Sequence, residues 1–533
     1  MDPYTNYDRR LTGLARAPLG NCLQGGLIGL EKEGLRVSPA GTIAATPHPT
    51  VFGSALIHPY LTTDFSEALL ETITPPMRDK QAVLAFLHGL HVFVHRHLDD
   101  ELLWATSMPC VLEGADHIPL ARYGTSNAAH MKTVYRRGLG NRYGRPMQVI
   151  AGVHYNFSFS DAFWPLYQEL EDRNMALGDF RSKAYMASIR NLQRFGWLIP
   201  YLFGASPAVC KTFVQDRNTD LEVFDRNTYF YPYATSLRMG DIGYQNLKTA
   251  GTGMKANYDS LDAYVRSLIR AIRTPCPDYQ AIGVKVGGRY EQLNANVLQI
   301  ENEYYGTVRP KQPPRWMEKP SLALRRHGVG YLELRSLDVN AFHPLGVTEE
   351  QLHFLDAFML FCLLAESPPI DMSERLAIDA NLLSVAHQGR DPSLALDRNG
   401  NSVSLRQWAE GVLDAMLPAA ELMDGGSGGP CVDSLRRQQE KVRDPGLTPS
   451  ARMLAEMRAN AESFFDFAKR TSKQYRDRFR SSSLDTEYET LFERLSRESW
   501  EQQRELEETD DMGFDEFLER YFAQGEQTPD FHP

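Results

Sequence analysis

Cysteine is scarce and scattered. The six cysteines of the 533-residue chain stand at positions 22, 110, 210, 276, 362 and 431, and no two form a CxxC pair. That spacing offers neither a zinc ribbon nor a thioredoxin-type motif, and so few thiols suit a reducing compartment. Basic residues are in deficit: 57 Lys and Arg against 68 Asp and Glu, a net charge of −11. This excludes the broad basic footprint that nucleic acid or an anionic membrane surface requires, but not a local basic pocket for a small anion. Long apolar runs are missing too. The two most apolar stretches, 197–210 and 354–365, are too short or too interrupted by Gly, Pro and Asp356 for the roughly 20 residues of a membrane span. The opening Met1-Asp2-Pro3-Tyr4 lacks the basic-then-apolar pattern of a signal peptide. The expectation is a soluble cytoplasmic protein with no nucleic-acid or membrane partner. No GxxxxGK[ST] loop, kinase-type HRD or DFG set, HExxH pair or internal repeat occurs.

What is present is enough hydrophobic sequence, 42%, for a large core. Four segments place charged groups on alternating positions among apolar ones. In Gly328-Val329-Gly330-Tyr331-Leu332-Glu333-Leu334-Arg335-Ser336-Leu337-Asp338, a period of two predicts a strand. One face is apolar, and the other carries Glu333 and Arg335 about 6–7 Å apart. A carboxylate suits a hard cation and a guanidinium suits a phosphate. A solvated surface pair is the competing reading of that strand alone. In 27–37, Glu31 and Glu33 share a strand face, where adjacent carboxylates repel unless a cation lies between them. In 149–160, His154 and Asn156 oppose Val153, Tyr155 and Phe157, and beside carboxylates His154 becomes a candidate metal ligand. The stretch 62–76 is ambiguous. Asp64, Glu67 and Glu71 have helical spacing, with Asp64 a possible N-cap and Glu67 its capping-box partner, while the end before Pro75-Pro76 reads as strand.

Other segments support this set. Arg309 and Lys311 straddle Pro310 in an extended run and can reach phosphate oxygens. The loop-like, Gly-punctuated stretch 121–147 clusters Tyr123, Lys132, Tyr135, Arg136 and Arg137, which suits a small-molecule lid or pocket wall, a plain surface helix-turn being the competing reading. Residues 234–244, with Arg238 and Tyr244, form a turn-rich loop that holds an anionic substrate or only orders itself. Residues 81–102 predict an amphipathic helix whose His88, His91, His95 and His97 are structural, there being no further ligand close by. Residues 182–203 predict a helix broken near Pro200, and 292–300 an alternating strand. Past 349–365 the chain turns helical. A Gly-rich link at 424–430 precedes charged helices over 448–471, 485–508 and 514–522. The expected division is a catalytic core at 1–390 and a mainly helical C-terminal region at 391–533.

Together Glu31, Glu33, Asp64, Glu71, His154 and Glu333 make an oxygen-dominated set with more acid than one ion balances. This favours Mg²⁺ or Mn²⁺ bridging to a nucleotide's phosphates on a sheet face, with Arg335, Arg309 and Lys311 as the phosphate clamp. A non-enzymatic module that binds divalent cations or a ligand is the alternative reading.

Several strings resemble the proteobacterial-type glutamate–cysteine ligase family. They are Gly29-Leu30-Glu31-Lys32-Glu33-Gly34-Leu35-Arg36-Val37, Thr62-Thr63-Asp64-Phe65, Tyr123-Gly124-Thr125-Ser126-Asn127, Gly152-Val153-His154-Tyr155-Asn156-Phe157-Ser158, Tyr233-Ala234-Thr235-Ser236-Leu237-Arg238, Leu298-Gln299-Ile300-Glu301-Asn302-Glu303 and Leu334-Arg335-Ser336-Leu337-Asp338. The resemblance runs from about residue 24 to about residue 365 and is weak before it and past about residue 390. The family often has Arg where Lys32 stands, off the acid face. The resemblance implies an α+β, glutamine-synthetase-like fold: a curved, mostly antiparallel sheet forming a funnel-shaped active site, helices outside, and a helical C-terminal region. It implies ATP-dependent joining of the L-glutamate γ-carboxylate to the L-cysteine amine through a γ-glutamyl phosphate, the first step of glutathione biosynthesis, with two or three Mg²⁺ or Mn²⁺ ions. It carries metal roles onto Glu31, Glu33, Asp64, Glu71, His154 and Glu333, and a phosphate role onto Arg335. It implies a cysteine pocket of Phe65, Tyr135, Leu139, Gln148, Tyr244 and Tyr305, with Arg136 and Arg238 near the transferred phosphoryl group or a substrate carboxylate. A γ-glutamyl ligase of the same fold that uses another amine remains a rival.

Overall fold

The computed structural model describes residues 6–17, 22–23, 25–171, 174–215, 219–243 and 255–525. Its centre is an open antiparallel sheet of seven strands: β1 (Leu27–Val37), β2 (Leu61–Thr63), β3 (Leu69–Ile73), β4 (Leu102–Leu103), β5 (Gly152–Ser158), β6 (Val308–Lys311) and β7 (Tyr331–Asp338). Their order is β6-β7-β5-β1-β3-β2, with β4 paired to the end of β1. Alternation decides the two faces. Ile28, Leu30, Val153, Tyr155, Phe157, Leu332 and Leu334 turn one way into the main core. Glu31, Glu33, His154, Asn156, Glu333 and Arg335 hold the intervening positions and turn the other way.

Ten helices matter below: α1 (Lys80–His97), α2 (Asn127–Tyr143), α3 (Leu177–Arg194), α4 (Glu349–Leu364), α5 (Leu405–Asp424), α6 (Pro430–Arg443), α7 (Pro449–Ala459), α8 (Phe464–Ser481), α9 (Thr486–Glu508) and α10 (Phe514–Ala523). Residues of α3 and α4 join the apolar sheet face in one core, with Phe354, Phe358 and Phe361 fully buried. The acid within the apolar run of α4, Asp356, is buried there and held between the Lys80 ammonium and the Tyr155 hydroxyl. A buried charge needs such partners. Lys32 does point off the acid face. It is buried on the opposite side near His91 and His95, and burial pushes its ammonium down to about 7. His91 and His95 pack on Phe479 of α8, a structural role.

Several expectations need correction. The stretch 121–147 is not loop-like: Ser126 caps α2, and Gly138 inside it is dictated by close approach. A Cβ there would lie 2.1 Å from the Gln299 side chain. The ambiguous stretch 62–76 is not helical: a tight turn over 64–68 joins β2 to β3, so Asp64 caps no helix and Glu67 makes no capping box. The Glu67 carboxylate instead accepts from the amides of His48 and Arg122, at 2.6 and 2.7 Å. Residues 292–300 form no strand. Their polar side chains clasp the backbone, with Asn294 Nδ2 donating to the Gln299 carbonyl and Gln299 Oε1 accepting from the Leu293 amide, each at 2.9 Å. The helix over 182–203 breaks at 195–197, ahead of Pro200.

The helix expected over 448–471 is two helices. Ala461, at φ 51°, breaks it, and Ser463 with Asp466 forms the capping box of α8. The Gly-rich link is a hydrogen-bonded corner between α5 and α6. Gly425 closes α5 in the left-handed region, and the Asp424 carboxylate accepts from the amides of Cys431 and Val432. The helices past residue 391 pack onto the rest of the chain. Tyr488 and Phe492 of α9 meet Phe86 of α1, and Leu518 and Tyr521 of α10 join Met131 and Val134 of α2. No helix among the described residues is long and apolar enough to cross a membrane.

Candidate active site

Register alone gathers the acid face. Glu31 of β1 stands opposite His154 of β5, Glu33 opposite Glu71 of β3, and Glu333 of β7 opposite both Asn156 of β5 and Arg309 of β6. The result is a wall of side chains from five strands at the floor of a cavity of about 400 Å³. Helix α2 forms the facing wall with Met131, Lys132, Tyr135, Arg136 and Leu139. Their 3- and 4-residue spacing puts them on one helix face.

His154 is the hub. Its Nδ1 lies 3.1 Å from the Glu31 carboxylate and 3.7 Å from that of Glu333, and its Nε2 is 3.8 Å from Glu33. Asn156 Nδ2 donates to Glu31 at 2.8 Å, and the Gly152 amide donates to Glu33 at 2.6 Å. Arg335 Nη1 is 2.8 Å from Glu333 and 3.3 Å from His154 Nδ1, while Lys311 Nζ lies 3.3 Å from the other Glu333 oxygen. Arg309 donates to the carbonyls of Asn302 and Tyr304.

Electrostatics divides the acids. Against the effect of burial, Lys311, Arg335 and Arg309 hold the Glu333 carboxyl well below the ordinary range. Burial also favours the neutral form of Glu31, but the His154 hydrogen bond keeps it low. Glu33 is pushed up by burial, and Glu71 well up by burial and by the charges of Glu31, Asp64 and Glu33. Among the described residues no Lys or Arg lies within 4 Å of Glu31, Glu33 or Glu71. A cation between these oxygens would relieve their repulsion. One ligand atom each from Glu31, His154 and Glu333 already lies within 4.8 Å of the others. The donor set therefore fits a hard divalent ion.

The structure brings together Glu31, Glu33, Asp64, Glu71, His154, Glu333, Arg335, Arg309, Lys311, Arg136, Tyr135, Leu139, Gln148 and Tyr305 around this cavity. Tyr305 donates to Gln148 Oε1 at 2.9 Å. Arg136 donates to the Asp64 carbonyl and lies 3.5 Å from its carboxylate, its guanidinium stacked 4.6 Å from the centre of the Tyr123 ring. Phe65 and Arg238 stand behind the wall. Phe65 is buried in the core, and Arg238 is buried against Gly152, donating to the Arg335 carbonyl at 2.8 Å. A Cβ on Gly152 would sit 2.1 Å from that guanidinium. Tyr244 lies outside the described residues. The cavity also takes in Asn302, Glu318 and Tyr521, which nothing in the sequence pattern singles out, and Lys132, which the Tyr-Arg-Lys cluster signalled without a role.

The sequence model of the glutamate-cysteine ligase family matches residues 11–385. The chain is 46% identical to the glutamate–cysteine ligase of Alcanivorax borkumensis, over 97% of this chain and 99% of the relative. It is 47% identical to that of Pseudomonas putida, over 98% and 99%. The likeness thus extends through the C-terminal helices, beyond the weak match expected there. The crystal structure of glutamate–cysteine ligase from Francisella tularensis in complex with AMP superposes with a TM-score of 0.88 at 34% identity, covering 94% of this chain and 98% of that one. A bifunctional glutathione synthetase from Pasteurella multocida superposes at 0.71 and 26% identity, with 93% and 58% covered. Full-length matches on this scale, joined to the acid wall of the sheet, establish that the chain belongs to the glutamate–cysteine ligase family.

Proposed function

We propose that this chain joins the γ-carboxylate of L-glutamate to the amine of L-cysteine at the expense of ATP, giving γ-glutamylcysteine, ADP and phosphate. The observation that carries the reading is the juxtaposition of a carboxylate–imidazole wall with the Arg335–Arg309–Lys311 cluster around one cavity. A carboxylate is a poor acyl donor. Transfer of the ATP γ-phosphoryl group to glutamate yields an acyl phosphate. The neutral amine attacks its carbonyl carbon, phosphate leaves, and the ammonium proton is lost.

Two or three Mg²⁺ or Mn²⁺ ions would be held by Glu31, Glu33, Asp64, Glu71, His154 and Glu333, and would neutralise triphosphate charge when bound. Arg335, with Arg309 and Lys311, orients the phosphates. Arg136 faces the transferred phosphoryl group, and Arg238 fixes the Arg335 backbone from beneath. Positioning and charge neutralisation of this kind carry phosphoryl transfer generally. Tyr135, Leu139, Gln148 and Tyr305, backed by Phe65, form the pocket for the amine substrate. The catalytic unit is assigned to residues 1–390, with Tyr521 of the helical region 391–533 at the rim. The reaction is assigned to the cytoplasm, where its substrates are reduced and ATP is available.

The test is ADP release with glutamate, with and without cysteine and a panel of other amines, with mass detection of the dipeptide. ADP and γ-glutamylcysteine formed only when both amino acids are present is the expected result. Glutamate-independent ADP release, or a better amine than cysteine, overturns the assignment.

A further inference from the structure

Every other cation of the cavity is engaged. Arg335 and Lys311 pair with Glu333, Arg136 with Asp64, and Arg309 with two carbonyls. Lys132 is different. Its Nζ has neither a hydrogen bond nor an ion pair among the described residues. What holds it is the Tyr123 ring, 5.0 Å from ammonium to centroid. That ring is itself fixed, its hydroxyl donating to the carbonyls of Thr63 and Asp64 at 2.7 and 2.8 Å. A half-buried ammonium carried on a rigid aromatic platform is partly desolvated and has gained no counter-ion. Burial and the neighbouring Arg136 push its ammonium down to about 8; the charges of Glu71 and Asp64 oppose this from a distance, and neither carboxylate comes within 4 Å.

Such a group is placed for an anion that arrives with the substrate. Arg309, Lys311 and Arg335 lie on β6 and β7, whereas Lys132 projects from the facing helix α2, one turn before Tyr135 and before Arg136, the phosphate-directed cation of that helix. Both amino acids of the proposed reaction carry an α-carboxylate that must be held without reacting. From this geometry we infer that Lys132 is the receptor for a substrate α-carboxylate, and so selects α-amino acids over simple amines or acids. This rests on the ligase reading above.

The experiment compares wild type with K132M, K132Q and K132R, with thermal melts to confirm that each is folded. KM is measured for glutamate, for ATP, and for two acceptors differing only in the carboxylate, L-2-aminobutyrate and propylamine. Loss of a charge-assisted contact predicts a rise of about ten- to a hundred-fold in one KM for K132M and K132Q, partly restored in K132R. A rise for glutamate assigns the donor's carboxylate. A collapse of the preference for aminobutyrate over propylamine assigns the acceptor's. If glutamate KM and acceptor preference both stay within twofold of wild type, or only ATP KM or kcat changes, the inference is overturned. If wild type itself shows no glutamate-dependent ADP release, the ligase reading has failed. Calorimetric titration of glutamate and aminobutyrate into wild type and K132M then tests Lys132 on its own: equal affinities for both ligands overturn it.

Discussion

Glu33 and Glu71 stand directly opposite each other on neighbouring antiparallel strands, both facing the cavity. Directly opposed like charges destabilise a sheet, and burial adds to the cost. Neither has a Lys or Arg within 4 Å among the described residues. The pair is therefore a built-in unfavourable contact, and under the proposed function a divalent cation relieves it.

Metal binding is accordingly expected to stabilise the fold. Millimolar Mg²⁺ or Mn²⁺ should raise the melting temperature of the metal-stripped protein, and Glu71→Gln should shrink that shift. Without metal, Glu71→Gln should melt no lower than wild type, because one of two repelling groups is gone, while turnover falls by at least a hundredfold. Equal metal-induced shifts in both proteins would remove Glu71 from the metal site.

Arg335 bonds to Glu333 and His154 at once, so it links the acid wall to the proposed phosphate clamp. Arg335→Ala and Glu333→Gln are each expected to lower kcat by about 10²–10³, the scale for losing one preorganised electrostatic contact. Circular dichroism should show the fold intact. A folded variant with near-normal turnover would exclude that residue from the site.

Stability should fall on mild acidification. Burial pushes His48 down to about 3, His58 to about 4 and His95 to about 3. The unfolded chain takes up these protons near pH 6.5, whereas the folded chain resists until about 3–4. Their contribution is thus complete above about pH 6.5, shrinks as the pH falls through that value, and is gone below the folded values. Urea unfolding at pH 7.5 and 5.5 measures the slope. His95→Leu, beside Phe479, should flatten it by about one proton. An unchanged slope would show that His95 is not buried neutral.

The acid face was legible because a period of two cannot put Glu31, Glu33, His154, Glu333 or Arg335 anywhere but opposite their apolar neighbours. Which strands would be adjacent was not, since the pairing of β1 with β3 joins residues about 40 apart, and the pairings of β1 with β5 and of β5 with β7 join residues more than a hundred apart. Helix α2 was hidden by Gly138 and Gly140, which weaken the helix signal. Gly138 is there to admit Gln299, a constraint visible only in three dimensions. Residues 292–300 alternate as a strand would, but Asn294, Asn296 and Gln299 bind the backbone instead. Phe65 came from family resemblance alone, whereas Arg238 and Tyr244 were signalled by the turn-rich loop 234–244 and received a specific role only from the resemblance.

Tyr521 is the clearest part of the site that local pattern could not reveal, because it arrives from the last described helix. It is buried against the α2 side of the cavity, and α10 is fastened there by Lys319, whose Nζ donates to the Phe522 carbonyl at 2.7 Å, and by Gln524, whose Nε2 donates to the Met317 carbonyl at 2.9 Å. Removing α10 uncovers Met131 and Val134, which are buried partly by Leu518 and Tyr521. Tyr521→Ala is expected to cost about 3 kcal/mol, the low end for deleting a large buried aromatic side chain. It should also raise substrate KM several-fold through a looser α2. Ending the chain at residue 513 should lower kcat/KM more than the single substitution does. A truncated protein with wild-type kcat/KM would show that α10 packs beside the site without shaping it.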